Sequence, residues 1–230
     1  MEEYRKNINI SKRLAQEISS YKIYDLSQLI YDKMLTYPTD PETNVVPFLT
    51  FDKHGVNLLE IKSGFHAGTH VDAPKHQLGN GEGIDKILLE KFIGHARILK
   101  AVTNSSRHIE INDSDKDKIE KDLIVIFYSG WERYVGTERY YDRPPYISKN
   151  TAEFLVEKKI KAVGIDMPSV DNSDVQIPVT HRILLKNSIT IIEGLVNLSN
   201  LVNQDIFFIG LPLKIKDGDG SLIRAIGIKM

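Results

Sequence analysis

The sequence predicts a single α/β domain in which strands outnumber helices and both kinds of element mix along one chain. Two observations support this fold class. The chain has 230 residues, of which 41% are hydrophobic and 27% are charged, as in an ordinary soluble domain with a sizeable core. Short apolar runs recur from Tyr21 onward, and neither an internal repeat nor a low-complexity linker divides them.

Residues 1–20 are predicted to form a helical extension that precedes a domain spanning residues 21–230. This segment is rich in charge, and Ile10, Leu14 and Ile18 recur every four residues. That spacing places apolar side chains on one face of a helix. We therefore expect a short amphipathic helix that contacts a neighbouring subunit.

Most of the remaining elements are predicted to be strands, because they are short apolar runs between turn-forming residues. The run LIVIFY at residues 123–128 is continuously apolar, as expected of a strand that is buried on both faces. The other predicted strands cover residues 23–27, 45–51, 56–62, 96–102, 162–165, 189–192, 205–211 and 222–228.

Two helices are predicted within the domain. Residues 150–158 begin with Asn150 or Thr151 as a cap and supply apolar contacts through Phe154. Residues 180–186 also begin like a capped helix, with His181 in the first turn. Mixed strands and helices in one chain are typical of an α/β domain.

Composition excludes several classes of function. A net charge of −1 with scattered basic residues gives no basis for binding nucleic acid or a membrane surface. The chain has no cysteine, so disulfides, thiolate zinc sites and a cysteine nucleophile are excluded. The N-terminus lacks the apolar core of a secretory signal, and no apolar run approaches the roughly 18 residues of a membrane span. We therefore expect a cytoplasmic protein.

One short segment predicts a metal site. His66, His70, Asp72 and His76 fall within eleven residues, in the run FHAGTHVDAPKH. Imidazole and carboxylate are ligands that divalent ions of hard to borderline character prefer. Histidine occurs only seven times in the chain. Three histidines beside an aspartate therefore indicate metal binding rather than a loop of unrelated solvated side chains.

This segment is predicted to be extended rather than helical. Gly64, Gly68 and Pro74 interrupt it, and Thr69 and Val71 prefer extended backbone. Side chains of a strand alternate between its two faces, and the four candidate ligands all occupy even-numbered positions. We expect a strand that turns at the second glycine and at the proline, and that directs all four groups into one cleft.

His181 and Glu193 form a second set of candidate ligands. Glu193 closes a strongly apolar strand, where a carboxylate is costly to bury unless it is paired or coordinated. The residues alone leave alternatives open. Glu193 could equally be a strand-end residue that faces water, and His181 a surface residue at the start of a helix.

The motif places these residues in a known context. Residues 66–76 match the pattern H-x-G-T-H-x-D-x-P-x-H, and the chain thereby resembles the metal-dependent cyclase-like hydrolases, a family that includes bacterial kynurenine formamidase and isatin hydrolase. The resemblance covers all but the first twenty or so residues. It extends to DLS at residues 25–27, to YPTDP at 37–41, to GIDMPSVD at 164–171 and to the C-terminal residues 210–228.

The resemblance implies a single domain of the swivelling β/β/α type, with a mixed sheet that forms a partly closed barrel flanked by helices. It implies that His66, His70 and Asp72 hold one metal ion. Asp72 is then shared with a second ion that His181 and Glu193 complete. Two zinc ions per chain are expected, with manganese as the alternative, in a homodimer or higher homo-oligomer.

The same resemblance leaves His76 free as a proton shuttle. A bound divalent ion lowers the pKa of coordinated water towards about 7 and polarises a carbonyl group. An imidazole with an ordinary pKa near 6.5 can then act as base and as acid. No G-x-S-x-G elbow offers a serine route. The run DGDGS at residues 217–221 lacks the spacing of a calcium loop, and we interpret it as a turn.

The expected reaction is hydrolysis of the C–N bond of a small amide. The first expectation is an arylformamidase that converts N-formylkynurenine to kynurenine and formate. Tyr37 is expected to bind the substrate, although family formamidases usually have tryptophan at this position and an aromatic residue in place of Gln77. The alternatives are hydrolysis of a cyclic amide such as isatin, and a non-catalytic protein in which a metal stabilises a binding site for a small ligand.

Overall fold

A nine-stranded mixed sheet organises the computed structural model, which describes residues 2–103 and 106–229, with side chains from residue 11 onward. The sheet curls into a half-barrel flanked by helices, which confirms the predicted fold class. The helices are α1 (Glu2–Ser20), α2 (Phe51–His54), α3 (Asp113–Lys116), α4 (Lys149–Glu157) and α5 (Val179–Lys186). The strands, in chain order, are β1 (Lys22–Asp25), β2 (Asn44–Leu49), β3 (Leu58–Lys62), β4 (His70–Asp72), β5 (Ile93–Lys100), β6 (Val102–Thr103), β7 (His108–Glu110), β8 (Ile124–Tyr128), β9 (Tyr146–Ile147), β10 (Ala162–Ile165), β11 (Thr190–Glu193), β12 (Asp205–Ile209), β13 (Gly220–Leu222) and β14 (Ile226–Lys229).

The spatial order of the main sheet is β1-β14-β12-β5-β8-β10-β11-β4-β13. Its four central strands, β5, β8, β10 and β11, run parallel, and antiparallel strands extend it at both ends. A parallel strand needs a long crossover connection. The helix α4 lies in the connection from β8 to β10, and α5 lies in the connection from β10 to β11.

Strand β8 lies in the core and is buried on both faces, as its continuous apolar sequence predicts. Ile124 and Ile126 pack into one apolar cluster, while Val125 and Phe127 pack into another. All four are at most 1% exposed. Alternation of this kind follows from the two-residue period of a strand, and it fixes the sheet between two apolar layers.

Most predicted elements are present, with boundaries that local chemistry explains. Helix α4 begins one residue earlier than predicted, because the Ser148 hydroxyl accepts a hydrogen bond from the backbone N–H of Thr151 and so caps the helix. The strand predicted to reach residue 51 ends at Leu49, since α2 begins at Phe51. The run predicted as one strand over residues 222–228 is divided between β13 and β14.

The N-terminal helix α1 spans 19 residues and is therefore longer than the short helix predicted for this segment. Leu14 and Ile18 are exposed on it, and the side chain of Ile10 lies outside the described part of the chain. Its contact with another subunit and the division of the chain after residue 20 remain predictions. Among the described residues, no helix has both the length and the apolar character that a membrane crossing requires.

Candidate metal centre

The centre lies where the short strand β4 pairs with the end of β11. In the antiparallel register, His70 lies opposite Glu193. His70 and Asp72 are two residues apart on β4, so they point to the same face, while Val71 between them is fully buried in the core. Strand pairing on both sides of β4 therefore fixes these ligand candidates in position.

His66 and His76 reach the same place by turns rather than by strand alternation. Gly68 adopts a left-handed conformation with φ of +62°, and Pro74 begins a single 3₁₀ turn that ends at His76. The predicted turns at these two positions are therefore present, but the strand itself covers only His70–Asp72. Of the four groups predicted to share one strand face, only His70 and Asp72 do so.

Two further contacts hold the motif against the rest of the sheet. The Thr69 hydroxyl donates to the carbonyl of Gly194 at 2.7 Å and accepts from the backbone N–H of Gln28 at 2.8 Å. A Cβ atom at Gly220 would lie 2.8 Å from Cε1 of His66. Glycine at residue 220 therefore permits β13 to pass directly beside this imidazole.

Asp72 lies at the middle of the candidate ligands. Its Oδ1 lies 2.9 Å from Nδ1 of His66 and 3.6 Å from Nε2 of His70. Its Oδ2 lies 3.3 Å from Nε2 of His181 in the first turn of α5. Glu193 spans the same gap, with Oε2 3.3 Å from Nε2 of His70 and Oε1 3.4 Å from Nε2 of His181. The structure thus brings both predicted ligand sets together.

Three of the four histidines have their second ring nitrogen held by an outer acceptor. Histidines that bind metals usually have this arrangement, because the outer partner fixes the tautomer and the ring orientation. The pairs are His66 Nε2 with Asp219 Oδ2 at 3.1 Å, His70 Nδ1 with the Gly68 carbonyl at 3.0 Å, and His181 Nδ1 with Asp171 Oδ2 at 2.6 Å.

The remaining polar atoms of the centre fit a divalent ion. Among the described residues, buried Nε2 of His70 and Oδ2 of Asp72 have no hydrogen-bond partner. Each lies 3.3 Å from a charged partner without forming a hydrogen bond to it, and a cation would satisfy both atoms. Ligand atoms of His66, His70 and Asp72 lie within 4.8 Å of one another. Nitrogen and oxygen donors of this kind suit zinc or manganese.

When no metal is bound, pairing of protonated histidines with carboxylates dominates the electrostatics of the centre. Burial lowers the pKa of His66, but hydrogen bonds to Asp219 and Asp72 outweigh it and raise that pKa to about 10. The pKa of His181 is raised well above its usual value despite burial, through hydrogen bonds in which Asp171 is the strongest partner. A metal ion has to displace these protons, so its binding releases them.

His76 differs from the other three histidines. Neither of its ring nitrogens forms a hydrogen bond within the described residues, and its Nδ1 lies 3.9 Å from Asp219. Its ring centroid lies 4.1 Å from that of His66. Burial lowers the pKa of His76, which keeps the imidazole neutral at pH 7. It also lies within 4.8 Å of ligand atoms of Asp72 and His181, and its role as proton carrier remains a prediction.

A cleft of about 370 Å³ opens above these groups. The predicted substrate-binding Tyr37 lies on its wall, where burial raises the pKa of the phenol. Gln77, beside the last motif histidine, also lines it. No lysine or arginine belongs to the described lining, whose members outside the centre are Tyr37, Thr39, Asp40, Gln77, Pro168, Ser169, Asn172, Ser173, Val175, Gln176 and Pro178.

Sequence reasoning missed two functional candidates, Asp171 and Asp219. Asp171 accepts hydrogen bonds from the backbone N–H groups of Thr180 and His181 as well as from the His181 ring. Its position at the end of the GIDMPSVD motif was the available signal. Asp219 lies in the run DGDGS, whose sequence predicts a turn. The only available signal was its place within residues 210–228, the C-terminal segment that resembles the family.

Comparison with known proteins agrees with the resemblance. A family model, Cyclase ("Putative cyclase"), matches residues 24–172. "Kynurenine formamidase" of Bacillus mycoides (strain KBAB4) is 32% identical over 205 residues, which cover 88% of this chain and 95% of the relative. "Uncharacterized protein MJ0783" of Methanocaldococcus jannaschii is 33% identical over 208 residues, covering 90% and 99%.

Solved structures share the fold. An isatin hydrolase bound to the product analogue thioisatinate superimposes with a TM-score of 0.82 at 20% identity, covering 96% of this chain and 98% of that one. A potential metal-dependent hydrolase with cyclase activity gives a TM-score of 0.74 at 24% identity, covering 91% and 98%. Likeness at such identities concerns the fold alone.

Proposed function

Because the chain belongs to the cyclase family, which it matches along most of its length, we propose that it is a metal-dependent hydrolase acting on the C–N bond of a small amide. The observation that carries this proposal is the convergence of histidines and carboxylates at the base of an open cleft, where two buried ligand atoms lack a hydrogen bond. A purely structural site has little use for an additional neutral histidine beside such a cleft.

The residues divide the work of hydrolysis. His66, His70 and Asp72 would hold one divalent ion, and His181 and Glu193 would hold a second that shares Asp72. Such ions supply charge relief for the substrate carbonyl and a more acidic water at neutral pH. We propose two zinc ions per chain, with manganese as the alternative.

His76 is the proposed acid and base. Its imidazole is neutral at pH 7 because burial lowers its pKa, so it can accept a proton from the attacking water. The resulting imidazolium can then donate that proton to the departing nitrogen. The Tyr37 hydroxyl on the cleft wall keeps its proton, because burial raises its pKa, and it can donate a hydrogen bond to the substrate.

The first candidate reaction is that of an arylformamidase, from N-formylkynurenine to kynurenine and formate. Its support is the curated relatives named "Kynurenine formamidase", one of them 32% identical over 88% of this chain. Purified protein is expected to hydrolyse N-formylkynurenine, to lose turnover in a chelator, and to regain it with zinc or manganese. Turnover that survives complete removal of the metal would contradict the mechanism.

A second candidate is hydrolysis of a neutral cyclic amide such as isatin. The described cleft lining has neither lysine nor arginine, and N-formylkynurenine carries a carboxylate that a cation would recognise. A neutral lactam needs no such partner. Parallel assays with both compounds decide between them, and metal-loaded protein that cleaves neither these nor related amides would favour a non-catalytic binding protein.

Elemental analysis tests the proposed centre without a substrate. Two equivalents of metal per chain are expected after loading and gel filtration. A single equivalent would remove the proposed roles of His181 and Glu193 as ligands.

We also propose that the protein is a homodimer or a higher homo-oligomer. The hairpin of β2 and β3 exposes large apolar side chains, with Phe48 at 63%, Leu59 at 62% and Ile61 at 58%. Leu59 and Ile61 share one face of β3, and exposed apolar side chains on one face are typical of interaction sites. Light scattering coupled to gel filtration is expected to give at least twice the chain mass, and a monomer at micromolar concentration would overturn this proposal.

A further inference from the structure

Asp219 lies beside the centre without belonging to the predicted ligand set. It sits in the turn that leads into β13. Its Oδ2 accepts a hydrogen bond from Nε2 of His66 at 3.1 Å, and the same oxygen lies 3.9 Å from Nδ1 of His76. One carboxylate oxygen therefore faces both a proposed ligand and the proposed acid–base group.

We propose that Asp219 is a positioning residue that fixes the ring of His66 for metal binding and holds a negative charge beside His76. This inference rests on the proposed function, because it concerns the same centre.

Once a metal displaces the extra proton of His66, the hydrogen bond to Asp219 would determine which ring nitrogen binds the ion. A neutral imidazole carries one N–H group and one lone pair. When Nε2–H donates to Asp219, the lone pair is on Nδ1, which lies 2.9 Å from Oδ1 of Asp72. Nδ1 thus faces the shared carboxylate of the centre. An outer carboxylate also makes the ligating nitrogen more basic and so strengthens its bond to a metal.

The backbone around Asp219 is tied to the metal-binding segment. The carbonyl of Asp219 accepts a hydrogen bond from the backbone N–H of Ala73 at 2.9 Å. Gly218 likewise accepts from the N–H of Ile84 at 2.8 Å. Only glycine fits at residue 220, since a Cβ atom there would meet the His66 ring at 2.8 Å. These contacts hold the carboxylate in register with His66, although its side chain is 46% exposed.

Asp219 also acts on the pair of imidazoles. The rings of His66 and His76 lie with centroids 4.1 Å apart and planes inclined by 34°. Asp219 forms its hydrogen bond with His66 only, since 3.9 Å is too long for one with His76. Its carboxylate nevertheless lies close to both imidazoles.

A direct ligand role is the competing explanation for Asp219. Ligand atoms of His66, His76 and Asp219 lie within 4.8 Å of one another, so an ion among them would also account for the contacts. The two explanations differ in the number of ions bound. A positioning residue changes affinity at constant stoichiometry, whereas a ligand of a separate ion changes the stoichiometry.

The substitution Asp219→Asn tests this inference, because it keeps the shape of the side chain and removes its charge. The matched control is Asp217→Asn in the same turn. The side chain of Asp217 is exposed, and asparagine tolerates the backbone φ of +53° at this position. Zinc affinity is measured by competition with a chromophoric chelator, and stoichiometry by elemental analysis at saturation. Cobalt-substituted protein gives an absorption spectrum that reports ligand geometry.

Asp219→Asn is expected to weaken zinc binding by about 10–100-fold, to alter the cobalt spectrum, and to retain full stoichiometry and the circular-dichroism spectrum of the wild type. Asp217→Asn is expected to behave as the wild type. Unchanged affinity, a lost equivalent of metal, or an equal effect of Asp217→Asn would each overturn the inference. These measurements need no substrate, so a wild-type protein without amide turnover would refute the proposed function and leave this result standing.

Discussion

The two sides of the metal centre are built differently. The inner side, comprising His70, Asp72, Glu193 and His181, is at most 5% exposed and is held by strand pairing and the first turn of a helix. The outer side, comprising His66, His76 and Asp219, is held by turns and is more exposed, with side chains 16%, 26% and 46% exposed. Rigid elements thus hold the carboxylates proposed as ligands, and turns hold the more exposed groups.

This difference teaches where each task is best performed. Side chains on paired strands keep their geometry whether or not a substrate is present, which suits the proposed metal ligands. A proton carrier has to meet the reacting atoms, and the proposed carrier His76 lines the cleft. We therefore expect substitutions of the inner residues to remove bound metal. Substitutions of the outer residues should lower turnover or the affinity for metal without changing the number of ions bound.

The largest effect is expected on the inner side, for the double substitution of His70 and Asp72 by alanine. Asp72 faces all three proposed ligand histidines, so both proposed ions lose a ligand. Elemental analysis after gel filtration is expected to find no bound metal, and circular dichroism checks that the fold is retained. Metal affinity equal to that of the wild type would refute the proposed centre.

His76→Ala is expected to separate the two sides most clearly. Removal of a general acid or base costs about 10²–10⁴-fold in rate, whereas the other histidines and the carboxylates remain in place. The variant should therefore bind a full complement of metal and lose most of its kcat. Loss of metal would instead identify His76 as a ligand, which its proximity to Asp72 and His181 allows.

A smaller effect is expected for Asp171→Asn, the inner counterpart of the change at Asp219. Asp171 holds Nδ1 of His181 at 2.6 Å, and outer partners of this kind contribute about 10–100-fold to metal affinity. Asp171→Ala should bind metal no better and should also melt earlier, because the N–H groups of Thr180 and His181 lose their acceptor. If Asp171→Asn binds zinc as tightly as the wild type, orientation of His181 does not limit affinity.

The sequence predicted the histidines and carboxylates of the candidate centre, but not Asp171 and Asp219, the carboxylates that are hydrogen bonded to its histidines. Residue type and close spacing identified His66, His70, Asp72 and His76, because metal ligands from one segment leave a local pattern. Asp219 is 153 residues from the histidine to which it is hydrogen bonded, and no local pattern encodes that pairing. It depends on β13 lying beside β4, which only the folded sheet determines.

The fold follows the same division. Continuous apolarity predicted the buried strand β8, whereas β4 is shorter than the extended segment predicted around it and β13 was not anticipated as an element separate from β14. Such short strands lack a periodicity of their own, and their neighbours in the sheet stabilise them. The exposed hairpin of β2 and β3 was predicted as strands, but its apolar exposure depends on packing that sequence patterns do not specify.

The smallest expected effect concerns the pH dependence of turnover, whose acid limb should lie below the ordinary imidazole pKa of 6.5. Burial is the largest influence on the pKa of His76 and lowers it below 6.5. The charged groups around its ring also act on this pKa: Asp72 and Glu193 raise it, His66 and His181 lower it, and Asp219 faces Nδ1. A general base works only when it is unprotonated, so kcat/KM should be level near neutrality and fall as the pH drops through this lowered pKa.

A profile of kcat/KM against pH tests this expectation in saturating metal, with metal content measured at each pH. The acid limb is expected at a midpoint below 6.5 and to be absent from the residual activity of His76→Ala. A bound cation beside the imidazole disfavours its protonation, so metal loading moves the midpoint in the same direction as burial. A midpoint above 6.5 in fully loaded protein would assign the limb to another group and would contradict His76 as the base.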